Sequence, residues 1–135
     1  MYPKGYEQVA NFELSMSEWG NAVPYTTQTH REARSRRDPQ VARYQDYKKW
    51  LEWQVEPHIK GIIRKPTHLD LPILHVHAVF KDRRHGDPSN VRKGVEDAIY
   101  KQDKYVTGGV TIAYDKDNPR VVITILERVI TQKEG

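Results

Sequence analysis

Cysteine is absent from the 135-residue chain, which excludes a disulfide framework, a thiolate metal site and a cysteine nucleophile. Any metal the protein takes must be held by oxygen or imidazole. Long apolar runs are missing too. Nothing approaches the roughly 20 residues that span a bilayer, and the opening MYPKGYEQVANFE lacks the apolar heart of a secretory signal. The expected setting is the cytoplasm, with no membrane partner. Internal repeats and low-complexity tracts are absent as well. What is present, 37% hydrophobic and 30% charged residues, suits a single domain over residues 1–135 with one core and an exposed polar face.

Charge is distributed unevenly. The net excess is only +4, yet THREARSRR sets Arg31, Arg34, Arg36 and Arg37 against one Glu32, and KDRRH adds Lys81, Arg83 and Arg84. Such clusters face either a polyanion or water.

Apolar periodicity gives the elements. In NFELSMSEW, Phe12, Leu14 and Met16 alternate with polar residues, the period of a half-buried strand. Residues 20–37 show no hydrophobic period and read as a basic, flexible loop. In RDPQVARYQDYKKWLEWQVEP, Asp38 is placed to cap a helix and Pro39 suits its first position. Val41, Tyr44, Lys48, Leu51 and Val55 form its inward side, and Pro57 is expected to end it. LPILHVHAVF reads as a strand covered on both faces, broken only by His75 and His77, which are expected as hydrogen-bonded core or interface residues rather than a metal pair. A second helix follows Asp87-Pro88, then two strands, VTGGVTIAY and RVVITILERV, joined by the turn-forming DKDNP. The order β-α-β-α-β-β predicts an α+β fold with a small mixed or antiparallel four-stranded sheet and two main helices. Of Trp19, Trp50 and Trp53, two are expected in the core or a dimer interface, with Trp19 left open as a base-stacking surface.

The stretch RRHGDPSNVRKGVEDAIYKQDKYVTGG carries Asp87, Asp97 and Asp103. Asp87 before a proline reads well as a helix cap. The helix after it also sorts by face: Val91, Val95, Ala98 and Ile99 on one side, and Asn90, Lys93 and Asp97 on the other. Phosphodiester hydrolysis calls for carboxylates to hold Mg²⁺, a cation to offset charge developing on phosphorus, and a polar group to orient water. Asp, Lys and Asn supply those parts, so the acids read either as cap and surface charge or as a site. Lys93 reads as the electrostatic stabiliser or as a surface lysine paired with Asp97.

The string GDPSNVRKGVEDAIYKQDKYV resembles the signature of RusA-type Holliday-junction resolvases, small homodimeric, Mg²⁺-dependent endonucleases common in prophages. Asp87, Asn90, Lys93, Asp97-Ala98-Ile99 and Asp103 fall on that motif, and the likeness in element order extends from Phe12 to Glu127. The resemblance implies a RusA-like homodimer that resolves four-way DNA junctions by paired phosphodiester hydrolysis. Asp87, Asp97 and Asp103 would hold Mg²⁺ (or Mn²⁺), with Asn90 and Lys93 beside them. Arg31, Arg34, Arg36, Arg37, Arg83, Arg84, Lys101 and Lys104 would contact DNA phosphates. One departure is visible: Ser89 stands where the family places a second acid, which removes a negative charge from the site.

Helical geometry adds a constraint. Asp87 and Asp97, ten residues apart, lie about 15 Å apart along a helix axis and cannot share one ion. A two-fold dimer with antiparallel helices would bring Asp87 of one copy beside Asp97 or Asp103 of the other. Two further readings stay open: a junction or duplex DNA-binding module that has lost turnover through Ser89, and a phage protein that binds a host factor.

Overall fold

The computed structural model describes residues 2–25, 39–101 and 104–130. Four strands, β1 (Tyr6–Ser15), β2 (Ile73–Phe80), β3 (Thr107–Tyr114) and β4 (Arg120–Arg128), and two helices, α1 (Pro39–Ile59) and α2 (Pro88–Tyr100), follow in the order β1-α1-β2-α2-β3-β4, with a 3-10 turn at Ser17–Trp19. The α+β class, the element order and the four-stranded mixed sheet agree with the sequence reading.

The sheet order is β1-β4-β2-β3. β4 runs antiparallel to β1 and to β2, and β3 runs parallel to β2. The parallel pair is joined through α2, a βαβ unit of the kind that needs a helical crossover. Arg92 of α2 braces it, donating from Nε to the Leu74 carbonyl (3.1 Å) and from Nη2 to the Thr107 carbonyl (2.9 Å). Gly108 is required at the start of β3: its φ is +126°, and a Cβ there would sit 2.0 Å from the Leu74 carbonyl oxygen. Because β3 and β4 flank β2, the DKDNP turn passes over the end of β2 and is fixed there by the Asp115 N–H donating to the Phe80 carbonyl (2.8 Å).

Both helices share one core with the sheet. Leu74, Val76, Ala78 and Phe80 of β2, Val121, Ile123 and Ile125 of β4, and Phe12 and Leu14 of β1 are buried with Tyr44, Tyr47, Leu51 and Val55 of α1 and Val91, Val95, Ala98 and Ile99 of α2. The apolar members of both helical stripes read from the sequence therefore pack inward as expected, with Tyr47 joining them and Lys48 left half-exposed. Each fully buried aliphatic side chain contributes on the order of 1.5–3 kcal/mol, so the interdigitated stripe is what holds the layers together.

Three local expectations are corrected. β2 is not covered on both faces: Ile73, His75 and His77 are half-exposed on the side opposite the core. His75 Nε2 (3.0 Å) and His77 Nδ1 (2.7 Å) share the hydroxyl of Thr111 across the β2/β3 pair, so the hydrogen-bonded reading of the two histidines holds. β2 is central because strands pair on both its edges, and pairing does not depend on covering both faces. Pro57 lies inside α1, which runs on to Ile59, because the Lys60 N–H still reaches the Glu56 carbonyl (3.0 Å) and carries the turn past it. The start of the 20–37 segment is packed, with Ala22 and Val23 buried. Of the tryptophans, two pack against the core as expected, Trp19 and Trp50, whereas Trp53 is 80% exposed.

Candidate functional site

α2 begins as its sequence requires. Asp87 is the N-cap, its carboxylate Oδ1 accepting from the Ser89 N–H (2.8 Å), and Pro88 fills the first helical position. The cap occupies one carboxylate oxygen of a side chain that is otherwise exposed. Capping and ligation thus compete for only half of Asp87.

Asn90 and Lys93 are exposed on the same end of α2. The Asn90 carbonyl accepts from the Tyr25 N–H (2.9 Å), and the Lys93 ammonium lies 4.6 Å from the centre of the Tyr25 ring. Asp87, Asn90 and Lys93 are therefore gathered in one patch, bounded by the segment that follows β1. Lys93 does not pair with Asp97.

Asp97 departs from the stripe assigned to it. It is 5% exposed and bonded through Oδ2 to Lys48 Nζ of α1 (2.9 Å), so it is turned toward the helix-helix contact. The Asp97 hydrogen bond raises the Lys48 pKa above its ordinary value, although partial burial works against the charge. Burial, then the nearby Asp97 charge, pushes the neighbouring Tyr44 hydroxyl well above the usual phenol range. A buried carboxylate needs a partner, and α1 supplies one. Periodicity put Asp97 opposite the apolar stripe but could not show that a second helix would cover that side.

The basic residues divide. Arg83 lies 5.7 Å from the centre of the Tyr114 ring, and Arg84 is exposed. Lys101 forms an ion pair with Glu52, and Lys104 lies 5.2 Å from the Tyr105 ring. Arg31, Arg34, Arg36, Arg37, the capping Asp38 and Asp103 are outside the described residues.

Next to the Asp87 patch is a cleft of about 360 Å³, formed where the chain leaves β1 and β2 at the same end of the sheet. Trp19, Asn21 and Pro24 form one wall and Lys81, Arg84 and Gly86 the other, with Arg43 of α1 reaching in. The Lys81 N–H donates to Asn21 Oδ1 (2.8 Å), and Arg43 Nη2 donates to the Trp19 carbonyl (2.6 Å). Gly86 allows the walls to touch: a Cβ there would fall 2.5 Å from Pro24 Cγ. His85 is held in place, stacked on Phe80 at 3.7 Å between centroids, its Nε2 2.9 Å from the Tyr114 hydroxyl. Sequence reasoning noted Lys81 and Arg84 as part of a basic run but missed Arg43, because nothing local distinguishes one charge on a polar helix from the next.

A hard cation suits the donors at Asp87, a carboxylate and the Ser89 hydroxyl. Among the described residues no group of three or more His, Asp or Glu is placed to hold a metal ion. No helix among the described residues is long and apolar enough to cross a membrane. No protein-family model and no curated protein matches the chain.

Proposed function

We propose that the protein is a Mg²⁺-dependent, structure-selective endonuclease that resolves four-way DNA junctions as a homodimer of RusA-like subunits. The observation that supports this most is the gathering of Asp87, Asn90 and Lys93 at one exposed helix end, beside a cleft lined by cations. These are the residue types phosphodiester hydrolysis requires.

In this reading Asp87 would hold Mg²⁺ together with Asp103, from the same chain or a second copy. Asp97 drops out of the ligand set while it is paired with Lys48. When bound, the ion supplies Lewis acidity toward the phosphodiester and its attacking water. The chain's own residues do the rest. Lys93, held in the open over Tyr25, offsets the negative charge that grows on the phosphoryl oxygens. Asn90 presents an amide beside Asp87 to orient water or substrate. Arg83 and Arg84 hold neighbouring backbone phosphates, setting register without reading sequence. Two copies match a four-way junction because its symmetry is near two-fold.

The test is incubation of the full chain with a synthetic four-way junction and Mg²⁺. Paired nicks in opposing strands are expected, and an intact junction with no retardation in Ca²⁺ would sink the reading.

A second reading, a junction-binding protein with weak turnover, is favoured by Ser89, a neutral residue whose N–H is already engaged by the Asp87 carboxylate. It predicts retardation without nicks, and that Ser89→Asp raises cleavage; an inert Ser89→Asp protein that still binds would place the missing ligand elsewhere.

A further inference from the structure

Apart from the phosphate contact given to Arg84, the cleft beside the Asp87 patch has no role in the chemistry above. We infer that it is a subsite for one unstacked deoxynucleotide of the bound strand, next to the scissile phosphate; this rests on the nuclease reading for its context but not for its chemistry. Its volume of about 360 Å³ falls within the range of roughly 300–1,000 Å³ typical of small-molecule sites.

Its charge selects the ligand class. Arg43, Lys81 and Arg84 face the cleft against a single acid, Asp82, whose Oδ1 already accepts from the Arg84 N–H (2.9 Å). None of the three cations has an ion pair among the described residues, whereas Lys48, Arg64, Arg92, Lys101 and Arg120 each do. A concave surface with an excess of cations takes an anion. The opposite wall sets the apolar Trp19, Val23 and Pro24 beside Asn21, a surface too large for a phosphate alone. Phosphate on Lys81 and Arg84 with base and sugar against Trp19 and Pro24 satisfies both halves.

Position links the cleft to the chemistry. The wall that carries Trp19 and Pro24 continues into Tyr25, whose N–H is bonded to the Asn90 carbonyl and whose ring lies under Lys93. A strand with one phosphate at Asp87 therefore has an adjacent nucleotide within reach of the cleft. Entry requires that nucleotide to leave its stack, which costs least at a branch point. The cleft thereby favours branched over continuous duplex DNA.

The test is titration of the ¹⁵N-labelled full chain with thymidine 5′-monophosphate, without metal, followed by amide shifts. Saturable shifts at residues 19–23 and 81–86 are expected, and Lys81→Glu should weaken the affinity by about tenfold, the loss of one charge-assisted contact. Equal shifts with inorganic phosphate would reduce the cleft to an anion site and overturn the proposal, as would unmoved amides or an unchanged affinity in Lys81→Glu. The two readings fail separately. A protein that binds the nucleotide but nicks no junction keeps the subsite and loses the nuclease; one that nicks junctions while these amides stay still loses only the subsite.

Discussion

The two ends of the sheet treat charge in opposite ways. At one end Arg64 is fully engaged: its guanidinium pairs with Asp70 (3.0 Å) and Glu127 (3.1 Å) and donates to the Arg128 carbonyl (2.9 Å), while its N–H donates to Glu127 Oε2 (2.8 Å). Glu127 is 2% exposed, so this is a buried acid with its compensation built around it. At the other end Arg43, Lys81, Arg84 and Lys93 surround a cleft and a helix start with no carboxylate set against them among the described residues except Asp82 and the exposed Asp87. A neutralised cluster holds a fold together. An uncompensated one costs stability through self-repulsion and has a use only when something anionic arrives.

The largest effect is expected where compensation is complete. Glu127→Ala should destabilise the protein by about 3 kcal/mol and lower the melting temperature by roughly 10 °C, because it leaves the Arg64 N–H without its acceptor and the guanidinium with only Asp70 of its two carboxylates. A circular-dichroism melt checks this, and an unchanged midpoint would mean that the Arg64 knot is ornamental. Asp87→Asn should do the reverse. Asn caps a helix as well as Asp, so the midpoint should hold, while junction cleavage falls on the order of 10²- to 10³-fold. Unfolding of Asp87→Asn with loss of junction binding would return Asp87 to a purely structural role.

Lys48→Met sharpens the contrast within α2, whose two aspartates sit at opposite ends. It leaves Asp97 buried without its partner and should cost about 2 kcal/mol, below the fully buried case because the Lys48 side chain is 35% exposed. Chemical denaturation measures it, and a cost near zero would show Asp97 free to turn outward toward a metal. The smallest effect concerns His75. Burial, with His77 and Arg92 nearby, lowers its pKa below the ordinary 6.5. The unfolded chain therefore takes up this proton first as pH falls, so stability is unaffected above about 6.5 and declines between that value and the lowered one. His75→Gln, which retains a group near Thr111, should flatten that part of the melting-temperature profile. An unaltered profile would assign the slope to other groups.

Legibility in the sequence followed the range of the interaction. The Asp87 cap, the Pro88 start and the apolar stripe of α2 are local, set within a turn or two, and the structure shows all three. The face of Asp97 was not legible, since its partner Lys48 lies 49 positions earlier and only the α1-α2 contact brings them together. The openness of one face of β2 was equally hidden: an apolar run records that a strand is central, not how many layers cover it.

By itself the sequence determined the class of the fold, the order of its elements and the residue types available at the start of α2, because capping, periodicity and turn preference act between near neighbours. Only the tertiary structure decided which acid is buried and which is left in the open, and that Arg43 of α1 meets Lys81 and Arg84 beyond β2 across one cleft. Compensation of a charge depends on what the fold brings within a few ångströms of it, and that is decided by packing between segments distant along the chain.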